Sequence, residues 1–308
     1  MPAHKKNFIV LDSVHGPTII HHDEAHNAES PVRTGQLHLQ AELDALLQIM
    51  NELPDGCIAV DGGARLGQVC MPLARRLLAK HGHVHAFEPH RASAYALCGT
   101  VALNQLDNLT VHHLGLAAAN ASMMLPFGHG AAGPAVPTHA HVDTRETLSM
   151  EVPVVRLDAL GLSRLDFLRL DIGGMEVDAL QGARQLLKTH KPWCWIQCSK
   201  PAEQAVMAEF AGLDYDFYNM DGRNLLCVPV IRWNRERLHI YGDALKTKAP
   251  FETLPAGPRD VDSLWRTAME HHDNCEWGHA LDLWRQLRGR GLNEADIALN
   301  IAACAVFA

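Results

Sequence analysis

Residues 58–67 read I-A-V-D-G-G-A-R-L-G, and after a helical stretch the run H-V-H-A-F leads into Glu88 and Pro89. A short apolar rise to an acid, a glycine-rich turn and a helical pattern after Gly67 leave the backbone little choice. They specify strand, tight turn and helix, followed by a second strand that ends in an acid. In a doubly wound sheet such a unit holds an adenosine-bearing cofactor: glycines let the backbone come close, and the second acid takes the ribose hydroxyls. The turn departs from G-x-G-x-x-G, and Asp61 stands at its entrance. A dinucleotide would bring a pyrophosphate that Asp61 repels, whereas S-adenosylmethionine brings an ammonium and a sulfonium that it attracts. The charge favours a methyl donor. An NAD-dependent oxidoreductase shares the β–α–β logic and Glu88, but it lacks the glycine fingerprint and any later hydride-transfer constellation.

Strand-like and helix-like segments alternate through the middle of the chain. The spacing predicts strands at 57–61, 83–88, 109–114, 165–171 and 192–198, and helices near 67–80, 90–105, 175–188 and 201–211. This alternation specifies an α/β fold with a doubly wound, mostly parallel sheet and helices on both faces. Two more runs, 214–218 and 224–231, flank M-D-G-R and predict an antiparallel pair at the sheet edge. Ahead of this core, residues 1–56 form an irregular or hairpin lead-in and a helix from Leu37 to Leu53, ended by Pro54-Asp55-Gly56. The main domain is expected over 57–241, a linker over 242–260, and a helical tail over 261–308. Leu264, Ala268, Ala280, Trp284 and Leu287 lie at the spacings of a tetratricopeptide unit, which the tail resembles. One and a half such units need a surface to pack on, either the main domain or a second subunit or partner. The three tail tryptophans, Trp265, Trp277 and Trp284, are expected in its core or at that interface.

The formal net charge of −8 argues against a general nucleic-acid binder. No apolar run is long enough to span a membrane, and the first residues lack the apolar core of a secretory signal. Eight scattered cysteines form no C-x-x-C pair, which is the pattern of buried free thiols in a reducing cytoplasm.

Further pieces follow in a fixed order: V-P-V-V-R-L-D-A-L at 152–160, L-D-F-L-R-L-D-I-G-G-M-E-V-D-A-L-Q-G-A at 165–183, and H-K-P-W-C-W-I-Q at 190–197. With Asn104 and Asn108 in L-N-Q-L-D-N, the stretch from about residue 15 to 200 resembles the FkbM family of methyltransferases. The R-L-D-A-L segment stands as an edge, and D-F-x-x-x-D-x-x-G-x-E as a strand-to-helix turn. The resemblance implies a class I methyltransferase (Rossmann-like) fold with S-adenosylmethionine as cofactor. It also implies O-methyl transfer to a hydroxyl of a small molecule, lipid or glycan precursor.

On that basis Asp61, Gly63 and Ala64 receive the methionine end of the cofactor, and Gly67 starts the helix below. Glu88, followed by Pro89, accepts hydrogen bonds from both ribose hydroxyls. Asp171, at the end of the fourth core strand, faces the donor methyl and the incoming hydroxyl; capping of the next helix is its plainer role. Glu176 either binds polar substrate groups and helps remove the proton, or is simply a first-turn acid. The chain departs from the family pattern at Arg65, where asparagine is usual, and at Gly173, where an acid is usual. The second departure removes a carboxylate near the reaction centre and opens an alternative: an impaired methyltransferase fold acting as a scaffold through its tail.

Gly128 to His141 is rich in Gly, Pro and Ala and forms a loop, either a substrate lid or a surface excursion. A histidine from it, His129, His139 or His141, has the right chemistry for a general base, and His141 is taken as the candidate. His139-x-His141-x-Asp143 also looks like the opening of a metallo-hydrolase site, but Thr144 stands where the next histidine belongs, so no metal is expected.

Overall fold

In the computed structural model, residues 8–13, 15–21, 40–127, 148–220 and 222–230 are described, all within the first of two compact units, Met1–Leu254. The 128–141 loop with His141, the 242–260 linker and the 261–308 tail lie outside the described residues.

The lead-in is a hairpin. Strands β1 (Phe8–Ser13) and β2 (Gly16–His21) pair antiparallel, with Ser13 opposite Gly16. Ile20 packs with Leu66 and Ala96, and the Thr100 hydroxyl accepts the Ile19 N–H, so the hairpin is pinned to a helix of the main domain. Helix α1 (Gln40–Glu52) buries Leu43, Leu46, Ile49 and Met50, the stripe expected of an amphipathic helix.

The core alternates as the pattern predicts. It runs β3 (Ile58–Gly62), α2 (Cys70–Leu77), β4 (His83–Phe87), α3 (Arg91–Leu103) and β5 (Leu109–His112). Between β5 and the next core strand lies a feature with no counterpart in the sequence reading. Strands β6 (Gly115–Leu116), β7 (Ala121–Phe127) and β8 (Leu148–Val155) form a second, three-stranded sheet in the order β6-β8-β7. The expected strand 109–114 therefore ends at His112, and V-P-V-V belongs to β8. The R-L-D-A-L segment is not an edge strand: Leu157–Leu160 is a 3₁₀ turn closed by Gly161 at φ +65°.

The chain then returns to the main sheet through β9 (Phe167–Leu170), α4 (Glu176–Gly182), α5 (Arg184–His190), β10 (Trp193–Gln197), α6 (Glu203–Ala208), β11 (Tyr215–Asn219) and β12 (Asn224–Pro229). The expected helix 175–188 is two helices broken at Ala183. The break coincides with a tight passage, because a Cβ on Gly182 would lie 2.0 Å from the Ala117 carbonyl oxygen.

The main sheet is ordered β11-β12-β10-β9-β3-β4-β5. Its pairs β10–β9, β9–β3, β3–β4 and β4–β5 are parallel, and β12 runs antiparallel to both β10 and β11. This is the doubly wound class I methyltransferase arrangement with an antiparallel edge. The chain moves from β3 outward to β5, then jumps back to β9 on the other side of β3. Ligands sit outside the carboxyl ends of strands at such a reversal.

Candidate functional site

The reversal brings together the ends of β3, β4 and β9. Asp61 on β3 pairs in register with Arg169 on β9, and Gly62 with Leu170. The turn after β3 rests on β9 itself: Gly63 has φ +84°, and a Cβ there would lie 2.0 Å from the Asp171 carbonyl oxygen. Only glycine combines that backbone conformation with so close an approach. Gly67, at φ +93°, lies against Leu97 and Met71 just before α2, so it closes the turn.

Four amides of this turn are already bonded. Gly63 and Ala64 both donate to the Phe87 carbonyl, Gly67 donates to Ala64, and Arg65 donates to Glu88 Oε2 at 2.8 Å. A phosphate-binding turn needs such N–H groups pointing outward and unpaired. Here they tie β3 to β4 instead, which speaks against a pyrophosphate. Arg65 is exposed and sits at φ +51°, a left-handed conformation that asparagine adopts more readily than arginine, so the departure bears on the backbone of the turn.

Glu88 is buried at the end of β4, and its second oxygen, Oε1, accepts the His90 N–H at 2.8 Å. Burial pushes its carboxyl above the ordinary glutamate range, while the two backbone amides and Arg65 pull it back. Each oxygen holds one backbone proton and retains lone-pair capacity for a hydroxyl donor. The adjoining Pro89 carbonyl accepts from His113 Nε2 at 3.1 Å, which fixes the turn into α3.

Asp61 lies fully buried beneath the turn instead of at its surface. Its Oδ1 accepts Arg169 Nη1 at 2.9 Å, and Oδ2 has no hydrogen-bond partner among the described residues. Burial raises its carboxyl, and Arg169 opposes that rise. The same guanidinium reaches Glu42 of α1 at 3.4 Å and Asp171 Oδ2 at 3.0 Å. Burial works against the charge on Arg169, but the three carboxylates around it raise its basicity overall. Asn224 of β12 also donates to Glu42, at 3.5 Å. Beside this cluster the buried Cys70 thiol is pushed well above its ordinary value, by burial first and by Asp61 second, so it stays protonated.

Asp171 is the member of the cluster that reaches solvent, with 20% of its side chain exposed against 4% or less for Glu42, Asp61 and Arg169. It does not cap the following helix, whose N-cap Met175 has no side-chain cap bond. Glu176 is buried, and its Oε1 accepts the N–H groups of Ile172 and Gly174 at 3.2 and 3.1 Å. Those bonds hold the D-I-G-G turn, in which Gly173 and Gly174 have φ +66° and +101°.

Arg169 and Glu42 escaped the sequence reading. The signal was present: a lone arginine inside the apolar strand F-L-R-L needs a buried counter-charge, and Arg169 and Asp171 share a face by strand alternation. Asn104 and Asn108 serve the scaffold, binding the Pro17 and Thr100 carbonyls and the Ala74 and Gly82 carbonyls, respectively. All six described cysteines are free thiols, and five are buried; Cys98 is exposed, contrary to expectation. Among the described residues no group of three or more His, Cys, Asp or Glu is placed to hold a metal ion, and His139, His141 and Asp143 lie outside them. No described helix is long and apolar enough to cross a membrane.

Residues 61–221 match the sequence model of the methyltransferase FkbM domain. Among solved structures the chain is similar to the methyltransferase FkbM from Methylobacillus flagellatus, with 21% identity and a TM-score of 0.42. That alignment covers 56% of this chain and 43% of the Methylobacillus chain, so less than half of the latter's length is matched. The chain is also similar to a SAM-dependent O-methyltransferase from Thermotoga maritima, with 12% identity, a TM-score of 0.41, and 75% and 81% of the two chains covered. A putative methyltransferase from Streptococcus mutans in complex with SAH matches at 10% identity and a TM-score of 0.38, over 62% of this chain and 97% of that one. No curated protein matches.

Proposed function

The chain belongs to the FkbM methyltransferase family, and from that premise we propose that it transfers a methyl group from S-adenosylmethionine to a hydroxyl of a small molecule, lipid or glycan precursor. One observation carries the reading. At the reversal of the sheet, Glu88 is fixed by two backbone amides, Asp171 reaches solvent on a buried arginine, and the amides of Gly63, Ala64 and Arg65 in the glycine turn are bonded to Phe87 and Glu88. A neutral adenosine and a cationic amino-acid end suit that set; a diphosphate does not.

When bound, S-adenosylmethionine supplies a methyl made electrophilic by the sulfonium. Glu88 takes the two ribose hydroxyls on its remaining lone pairs. Gly63, Ala64 and Gly67 shape the turn on which the methionine end lies, and Pro89 sets the exit from β4. Asp171 attracts the ammonium and borders the space the acceptor enters. Methyl transfer to oxygen is a direct displacement, so alignment by these groups is the chain's main contribution. Removing the hydroxyl proton adds about 10²–10⁴-fold, and Asp171 or His141 of the 128–141 segment takes that role. Glu176 acts by keeping the D-I-G-G turn in place.

A second reading rests on a specific observation. Gly173 stands where the family has an acid, and the nearby Glu176 is engaged by backbone amides. A fold that binds the donor without turning it over, and that works as a scaffold through residues 261–308, would look the same here. Those residues are also our proposed contact for a homo-oligomer or protein partner. Incubation of the full chain with methyl-labelled S-adenosylmethionine and a panel of hydroxyl acceptors separates the two. Label in any acceptor, lost in Asp171→Asn, supports the enzyme; tight donor binding with no label in any acceptor favours the scaffold.

A further inference from the structure

The buried ion cluster contains one cation bonded to three acids, two of them from distant segments, and the sequence assigns it no role. Arg169 of β9 bonds Asp61 of β3, Glu42 of α1 and Asp171 beyond its own strand. Of the three acids, two are sealed in the core and one reaches solvent. An aspartate that follows a strand end and precedes two glycines at positive φ has little else to fix its side chain. We propose that Arg169 is a positioning residue for the cofactor's amino-acid end, clamping Asp171 onto a buried anchor formed by Asp61 and Glu42.

Asp61 on this view acts through Arg169 and does not touch the ligand, which agrees with its complete burial. The planar fork is needed because one guanidinium offers separate donors in fixed directions to Asp61 and Asp171 while a third side bonds Glu42. Lysine keeps the charge but presents a compact ammonium that cannot span the three acids. The cluster also ties α1 to the site, since Glu42 is that helix's contribution to the anchor. The inference rests on the donor reading above and adds the residue that makes Asp171 effective.

The test compares S-adenosylhomocysteine with 5′-methylthioadenosine, which keeps the adenosine but lacks the amino-acid end. Calorimetric titrations use the full chain as wild type, Arg169→Lys, Asp171→Asn and the double variant. The expected result is a loss of about tenfold or more in S-adenosylhomocysteine affinity for each single variant, the size of one charge-assisted hydrogen bond. Affinity for methylthioadenosine is expected to stay within about twofold, and the double variant to lose no more than the worse single one, as residues acting in series do. Asp171 is partly exposed, so its variant tests the ligand contact even if Arg169→Lys folds poorly. Equal weakening of both ligands, or additive losses in the double variant, would overturn the positioning role. If wild type binds neither ligand, the donor reading itself fails, a result distinct from wild-type binding that shows no split between the two ligands.

Discussion

Gly63→Ala is the sharpest perturbation the fold offers, because the added methyl meets backbone on the far side and no rotamer relieves it. The new Cβ would lie 2.0 Å from the Asp171 carbonyl oxygen and 2.9 Å from its carbon. An ordinary contact is about 3.5 Å, so the β3 turn and the end of β9 must separate by roughly 1.5 Å. An alanine at positive φ adds about 1–2 kcal/mol. Separation also strains the bonds from Gly63 N to Phe87 O, 2.9 Å, and from Asp171 N to Gly62 O, 3.0 Å, each contributing about 1 kcal/mol. The total is about 3–4 kcal/mol, a large part of a typical domain's 5–15. Gly212→Ala and Gly161→Ala are the controls: both have positive φ, +73° and +65°, with nothing within 4 Å of the added Cβ. They should lose only the conformational part, about 1–2 kcal/mol. Urea unfolding followed by far-UV circular dichroism reads the difference, and S-adenosylhomocysteine affinity should fall in Gly63→Ala alone. Equal destabilisation at all three positions would refute the close-approach argument.

Three other outcomes follow from the same structure. Burial pushes the His85 imidazole down to about 4, with His83 and His112 adding to the shift, and His85 Nδ1 lies 3.0 Å from His112 Nε2. A base depressed in the fold takes up protons first in the unfolded chain. Its contribution is therefore full above its ordinary value near 6.5 and is lost as pH falls towards 4; the urea midpoint should drop from pH 7 to pH 5 more steeply in wild type than in His85→Gln. Asp166→Ala removes the acceptor of the Ile58 N–H and of the Arg164 fork, and should lower unfolding free energy by about 2–3 kcal/mol. Glu176→Ala should release the amides of Ile172 and Gly174, seen as faster hydrogen exchange there, with a several-fold weaker S-adenosylhomocysteine affinity.

The parallel core was legible because its strands carry their own punctuation. Asp61-Gly62-Gly63 and Glu88-Pro89 mark two strand ends, and M-D-G-R marks the turn beside the antiparallel β12. The second sheet was not. Its strands β6 and β7 lie in a stretch rich in Ala, Leu and Met that shows no clean alternation, and their pairing with β8 spans a long insertion that no local pattern announces. Asp61, Glu88 and Asp171 were each placed at the correct strand end, yet burial divides their roles in a way that residue type alone does not. The partners Glu42 and Arg169 are 127 positions apart in the chain, so only the fold brings them together. Glu176 was ambiguous in sequence because a first-turn acid and a substrate-binding acid look alike until the amides of Ile172 and Gly174 are seen on its carboxylate.

The register of Asp61 against Arg169 has a consequence for how this chain is made. The two residues are 108 positions apart, and translation at about 5–20 residues per second separates their appearance by roughly 5–20 s. During that interval β3 and β4 can pair, but closing the centre of the sheet would bury Asp61 without its cation, which the low-dielectric interior disfavours. The buried pair therefore cannot form until β9 emerges with its arginine. On this account the nascent chain keeps an open sheet edge beside β3 for seconds, and that edge is where a chaperone, or a neighbouring nascent chain, would first find it.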